Sequence, residues 1–208
     1  MLSLSLPRPS VAPLFDRVAR RYDTEILQRI NYRPAQDEIL AALRFSGASR
    51  IVDVGCGTGI LATRIHDELS PAVVYGVDAS PGMLAQAAAR SSSVRWLNGP
   101  AEQLPLPDGD VDAAVSTHAF HFFDKPAALA DFHRVLAPGG HVVIVVWAPT
   151  TSALGRLESV TGTAFPTRRQ MRECLQAAGF QEVEQRPVRR PGPLQWLSRE
   201  VVTLGVRP

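Results

Sequence analysis

A chain of 208 residues, 45% hydrophobic and 20% charged, has the length for one α/β domain with a substantial core. Its 22 basic and 20 acidic residues leave a net charge of +2 and an isoelectric point near 8.8, too mild a surplus to imply a nucleic-acid partner. Lys125 is the only lysine, and the six arginines of residues 168–190 are interrupted by Glu173, Glu182 and Glu184.

Cys56 and Cys174 lie far apart and form no CxxC, so both are expected as reduced thiols in a cytoplasmic protein. The opening "MLSLSLPRPSV" is broken by Pro7, Arg8 and Pro9 and does not read as a signal peptide. No window approaches a membrane span.

Apolar runs set against breakers predict a strand over 50–54 and a helix over 59–69, ended before Pro71. "AVVYGVD" is a second strand, closing at Asp78; Ser80 and Pro81 read as the N-cap and first residue of the next helix. "VRWLN" and "VDAAVST" are the third and fourth strands. "KPAALADFHRVL" places Ala128, Leu129, Phe132, Val135 and Leu136 at helical spacing. "APGG" is expected to stop that helix before "HVVIVVW", a strand apolar enough to be buried on both faces.

After a linker over 148–165, "PTRRQMRECLQAAGF" is an amphipathic helix closed by Gly179. "QEVEQRPV" and "REVVTLGVRP" are two further strands with no long helix between them, so they are expected to pair antiparallel at one edge. Strands alternating with helices predict a mostly parallel sheet covered on both sides, with ligands beyond the carboxyl ends of the strands. No internal repeat or low-complexity tract is found, and residues 1–208 are read as one domain: a helical cap over 1–45, a core over 46–147, then linker, helix and edge strands.

The turn "VDVGCGTGIL" strips side chains at Gly55, Gly57 and Gly59, where the first strand meets the first helix and a ligand can approach backbone N–H groups. Gly55 and Gly57 fit the start of a dinucleotide fingerprint, but its third glycine would fall at Ile60, which weakens a nicotinamide-dependent oxidoreductase; the Gly-Lys-Ser/Thr of a P-loop is missing. Asp78 follows Gly59 by 19 residues, where a carboxylate can accept from both ribose hydroxyls. The competing reading is that the glycines merely permit close packing and Asp78 caps a helix.

"VDVGCGTG", "VYGVDASPGMLAQA", "NGPAEQLPLPDGDVDAAVS" and "FHRVLAPGGHVVI" resemble, in order, motifs of the class I S-adenosylmethionine-dependent methyltransferases. The resemblance is strongest to the branch that includes ubiquinone and menaquinone biosynthesis methyltransferases; it covers 14–147 well and 166–208 more loosely. It implies a Rossmann-like, doubly wound, mostly parallel seven-stranded sheet with an antiparallel last strand and helices on both faces. It further implies an enzyme that methylates an oxygen, nitrogen or carbon of a small molecule. A non-catalytic cofactor-binding module is the alternative.

Position by position, the resemblance implies that Gly55 and Gly57 pass beneath the methionyl part of the cofactor. Asp53 would orient the loop or meet the cofactor amino group through water. Asp78 would bind the ribose, Ser80 and Met83 would border the adenine, and Ala101 would offer its backbone N–H to the adenine edge; Ala79 and Thr117 complete the set. The family usually has an aspartate where this chain has Pro100, so either Glu102 substitutes or one hydrogen bond is missing. "FDRVARRYD" resembles the first helix of that branch, in which a tyrosine like Tyr22 closes over the cofactor, and Arg33 is placed to pair with the methionyl carboxylate.

Methyl transfer needs an acceptor lone pair aligned behind the sulfonium methyl, and a base where the acceptor carries a proton. In "STHAFHFFD", His118 directly follows the fourth strand and is the candidate base; His121 matches a histidine common in this branch that can simply hold the loop. His66, His133 and His141 are read as structural. His118, His121 and Asp124 make a poor metal set, and no metal is expected. No Asn/Asp-Pro-Pro-aromatic motif of nucleic-acid amine methyltransferases is present. Phe120, Phe122, Phe123 and Trp147 suggest an aromatic cleft mouth suited to a planar or lipid-like acceptor, although core packing would claim the same residues. The 148–165 linker is short for this branch, so the cleft would be closed by the N-terminal helix or by the second subunit of a dimer.

Overall fold

A computed structural model describes residues 32–148, 165–190 and 199–208. Helix α1 (Arg33–Ser46) leads into β1 (Arg50–Val54), α2 (Ile60–Leu69), β2 (Val73–Asp78), α3 (Pro81–Arg90), β3 (Arg95–Asn98) and β4 (Val111–Thr117). A short 3-10 turn (Phe120–Phe122), α4 (Lys125–Val135), β5 (Leu136–Trp147), α5 (Arg168–Ala177), β6 (Gln181–Pro187) and β7 (Glu200–Val206) follow. The seven strands form one sheet in the order β3-β2-β1-β4-β5-β7-β6. All pairings from β3 to β5 are parallel, and β7 runs antiparallel to both its neighbours, β5 and β6.

Alternation along the strands builds a core on each face of the sheet. Val52, Val54, Ala114, Val142, Ile144 and Val146 point to one side, where Leu129, Phe132 and Val135 of α4 and Met171 and Leu175 of α5 cover them. Ile51, Ala113, Val115, Val143 and Val145 point to the other, beneath Ile39, Leu40 and Leu43 of α1 and Leu61 and Ile65 of α2. Burial on both faces explains the unbroken apolar run of β5.

The helix ends follow their local chemistry. Ser80 caps α3 by accepting from the Met83 N–H, Asp124 caps α4 through Ala127, and Thr167 with Gln170 forms a reciprocal capping box on α5. One expectation is corrected: "APGG" does not separate helix from strand. β5 begins at Leu136, immediately after α4, because Leu136 already pairs with Val111 and the Gly139 and Gly140 backbone bonds to Arg207. The left-handed φ of Gly139, +77°, lets the strand pass through a turn without ending.

Candidate active site

The carboxyl edge of the parallel strands is built around the glycine turn. Gly55 and Cys56 both donate their N–H to the Val77 carbonyl, at 2.8 and 3.1 Å, so the turn is stitched to β2. Gly55, Gly57 and Gly59 all have left-handed φ values, of 71°, 54° and 77°, but they serve different ends. A Cβ on Gly55 would strike Ala119, and one on Gly59 would strike Trp96 and Ala87; those two permit close packing. A Cβ on Gly57 would meet nothing within 4 Å. Gly57 thus exposes peptide to open space, which is what a ligand needs.

Asp78 faces this turn. Its Oδ2 accepts from the Gly57 N–H at 2.8 Å and its Oδ1 from the Ser80 N–H at 2.9 Å. Asp78 thus ties the turn to the N-cap residue of α3, whereas the helix itself is capped by the Ser80 hydroxyl. Beneath the turn lies Asp53, 2% exposed, with Oδ2 lacking any partner. Burial, reinforced by the charge of Asp78 and opposed by the Ala62 N–H, pushes the Asp53 carboxyl up to about 7. The same burial, with Asp53 and Asp78 adding, pushes the Cys56 thiol well up, so it stays protonated and unreactive.

The loop after β4 contributes the histidines. His118 is 8% exposed and has a φ of +54°, strained for a residue with a Cβ, and its N–H is fixed to the Val145 carbonyl at 2.9 Å. Its ring stacks on Trp147 with centroids 5.2 Å apart and meets Tyr32 edge-on at 5.1 Å. His118 Nε2 lies 2.7 Å from Oε1 of the fully buried Glu200, whose Oε2 accepts from Arg190 at 2.7 Å. Thr117 Oγ1 and His118 Nδ1 are buried without a hydrogen-bond partner. His121, buried against Phe122 and Phe165, is held down to about 3 by desolvation, with His118 and Lys125 adding, so it stays neutral at physiological pH.

Met83 is buried in the first turn of α3, Ala101 is buried, and Ala79 and Pro100 are exposed. Glu102 does not project freely: its Oε1 accepts the Asp124 N–H at 2.7 Å, tying the post-β3 loop to the start of α4. Arg33 opens α1 with an exposed side chain. Phe120 is corrected from cleft mouth to core, since it is fully buried and packs on Phe123 and Phe132. Tyr22 lies outside the described residues. A cavity of ≈ 530 Å³ lies elsewhere, between α1 and the β6–β7 edge, lined by Asp37, Phe45, His141, Glu182 and Arg186 among others, and includes none of the glycine-turn residues.

Sequence reasoning missed Glu200 and Arg190. A signal was present: Glu200 shares its strand face with the apolar Val202, so a charge was being placed on a buried parity.

Residues 52–144 match the methyltransferase domain family. A malonyl-[acyl-carrier protein] O-methyltransferase from Methylococcus capsulatus is 30% identical over 98% of this chain and 82% of its own length. The chain belongs to the class I S-adenosylmethionine-dependent methyltransferases. A demethylmenaquinone methyltransferase from Thermus thermophilus shares 37% identity over 65% of this chain, and the match spans 65%, just under two thirds, of that relative. In fold, this methyltransferase-family chain is similar to an S-adenosylmethionine-dependent methyltransferase from Thermotoga maritima, with a TM-score of 0.71, 24% identity, and 96% and 100% of the two chains covered.

Proposed function

We propose that this protein transfers a methyl group from S-adenosylmethionine to an oxygen, nitrogen or carbon of a small-molecule acceptor in the cytoplasm. The observation that carries the reading is the bare face of Gly57 beside the Asp78 carboxylate, a cradle that a side chain would fill. The partnerless oxygens of Asp53 and Thr117 beside this edge add polar groups awaiting a ligand. Among the described residues, no helix is long and apolar enough to cross a membrane.

In this reading Gly55 and Gly57 admit the methionyl chain, Asp53 balances its cationic end, and Asp78 takes the ribose hydroxyls. Ala79, Met83 and the Ala101 N–H border the adenine, Thr117 faces the reacting end, and His118 is the base. Arg33 and Tyr22 would close the site from the N-terminal side. With Glu102 Oε1 taken by the Asp124 N–H, its Oε2 is the acceptor left to stand in for the missing acidic residue at Pro100; otherwise the adenine amino group is one bond short. The cofactor supplies an electrophilic methyl on a sulfonium; the protein orients it and holds the acceptor behind it. The relatives carry the names of different acceptors, demethylmenaquinone and a malonyl group on acyl-carrier protein.

Calorimetry with S-adenosylmethionine, S-adenosylhomocysteine and NAD, followed by methyl-labelled transfer to an acceptor panel, tests the proposal. Binding of both adenosyl ligands with transfer is expected. Affinity for NAD alone overturns it, and binding with no transfer to any acceptor indicates a non-catalytic module, which the Pro100 position favours.

A further inference from the structure

We infer that Glu200 is a positioning residue that makes His118 a general base through Nδ1, and that the acceptor is therefore one whose reacting group carries a proton, a phenol or an enol. The inference rests on the methyltransferase reading of this site and adds to it the tautomer of the base and the class of acceptor.

An ionised carboxylate only accepts hydrogen bonds, so the 2.7 Å contact between Glu200 Oε1 and His118 Nε2 requires the proton on Nε2. Arg190 donates to the second Glu200 oxygen at 2.7 Å. Arg190 is itself set in place by its chain neighbours, because Glu38 of α1 accepts from the Arg189 N–H and pairs with Arg186. The neutral imidazole is left with its lone pair on Nδ1, the atom that is buried and has no partner. A buried polar atom left unmatched, on a residue held at φ +54°, is a costly arrangement for packing alone.

The acceptor O–H proton passes to Nδ1, and the freed electron pair on oxygen, or on the conjugated carbon of an enolate, bonds to the methyl carbon. The C–S bond breaks onto sulfur, leaving a neutral thioether. Glu200 balances the imidazolium charge until the proton departs to solvent with product release. An acceptor that is already a carboxylate at neutral pH has no proton for Nδ1 to take.

Imidazole nitrogen-15 NMR of the full chain without cofactor tests the assignment. His118 is expected to carry its proton on Nε2 and none on Nδ1. Glu200→Gln, whose amide can donate to Nε2, is expected to move the proton to Nδ1, with Glu200→Asp retaining the original tautomer. A wild-type proton on Nδ1, or a tautomer indifferent to Glu200→Gln, overturns the inference.

In parallel, catechol and hexanoate serve as probe acceptors with labelled S-adenosylmethionine. Transfer to catechol is expected, with kcat falling about 100-fold in Glu200→Gln and the KM for S-adenosylmethionine unchanged. Transfer to hexanoate alone, or to neither acceptor, overturns the acceptor class. Calorimetric binding of S-adenosylmethionine to the wild type separates the two levels: without binding the methyltransferase reading fails, whereas binding with the wrong tautomer removes only the role of Glu200.

Discussion

The carboxylate of Asp78 and the backbone N–H of Gly57 are 2.8 Å apart, joining the end of β2 to the one glycine of the turn that faces open space. Because Asp78 also accepts from the Ser80 N–H, a single side chain ties the turn to the N-cap residue of the next helix. Asp78→Ala removes both acceptors and, in the proposed reading, the ribose partner together. Cofactor affinity should fall by about 2–4 kcal/mol while folding stability falls by only about 1–2 kcal/mol. Calorimetry and urea unfolding on the same preparation read the two numbers; equal losses would assign Asp78 to structure alone.

Gly57 and Gly59 separate by the same logic. At Gly59 an added Cβ would come within 2.4 Å of Trp96 and 2.9 Å of Ala87, so Gly59→Ala should unfold at markedly lower denaturant. At Gly57 the added carbon meets no protein atom, leaving only the left-handed strain of about 1–2 kcal/mol. Gly57→Ala should therefore stay folded yet bind S-adenosylmethionine at least about tenfold more weakly, because the methyl group enters the ligand's space.

The Asp53 carboxyl, raised to about 7, gives a pH signature. Between the ordinary aspartate value and about 7 the folded state holds a proton that the unfolded chain has released, so this group's contribution to stability falls as pH rises through that window and levels above it. Asp53→Asn should remove the slope, gaining about 2–3 kcal/mol relative to wild type between pH ~5 and ~8 in paired urea titrations. If the cofactor's cationic end settles near Asp53, binding near pH ~6.5 should expel the proton, and the binding enthalpy should vary with the buffer's ionisation enthalpy.

His121 produces the opposite slope. Its folded value of about 3 lies below the ordinary imidazole value, so the unfolded chain takes up a proton that the folded one refuses. Stability is full above about pH 6.5 and is lost as pH falls from there toward 3, by at most about 1.4 kcal/mol per unit. His121→Gln should flatten the stability curve between pH ~4 and ~6, whatever it costs at neutral pH.

The local chemistry of the cofactor edge was legible in the sequence. The glycines, the strand ending at Asp78 and the Ser80–Pro81 helix start are each written within a few residues, and so is the two-faced burial that makes β5 a continuous apolar run. The pair between His118 and Glu200 was not, because it joins residues 82 apart and depends on β7 inserting between β5 and β6. Only the completed strand order brings the Glu200 side chain beside the loop after β4. Phe120 was ambiguous for a related reason: an aromatic after a strand serves a pocket or a core equally well, and the positions of α4 and Phe132 decide which. The role of Glu102 turned on the Asp124 N–H, a backbone group whose place no residue type announces.

The most direct measurement is a crystal structure of the full chain with S-adenosylhomocysteine bound. The ribose hydroxyls should lie within hydrogen-bond distance of Asp78, and the methionyl chain should run over Gly57. Adenosine bound at any other place on the molecule, or a turn at Gly57 closed by the protein's own atoms, would contradict the account.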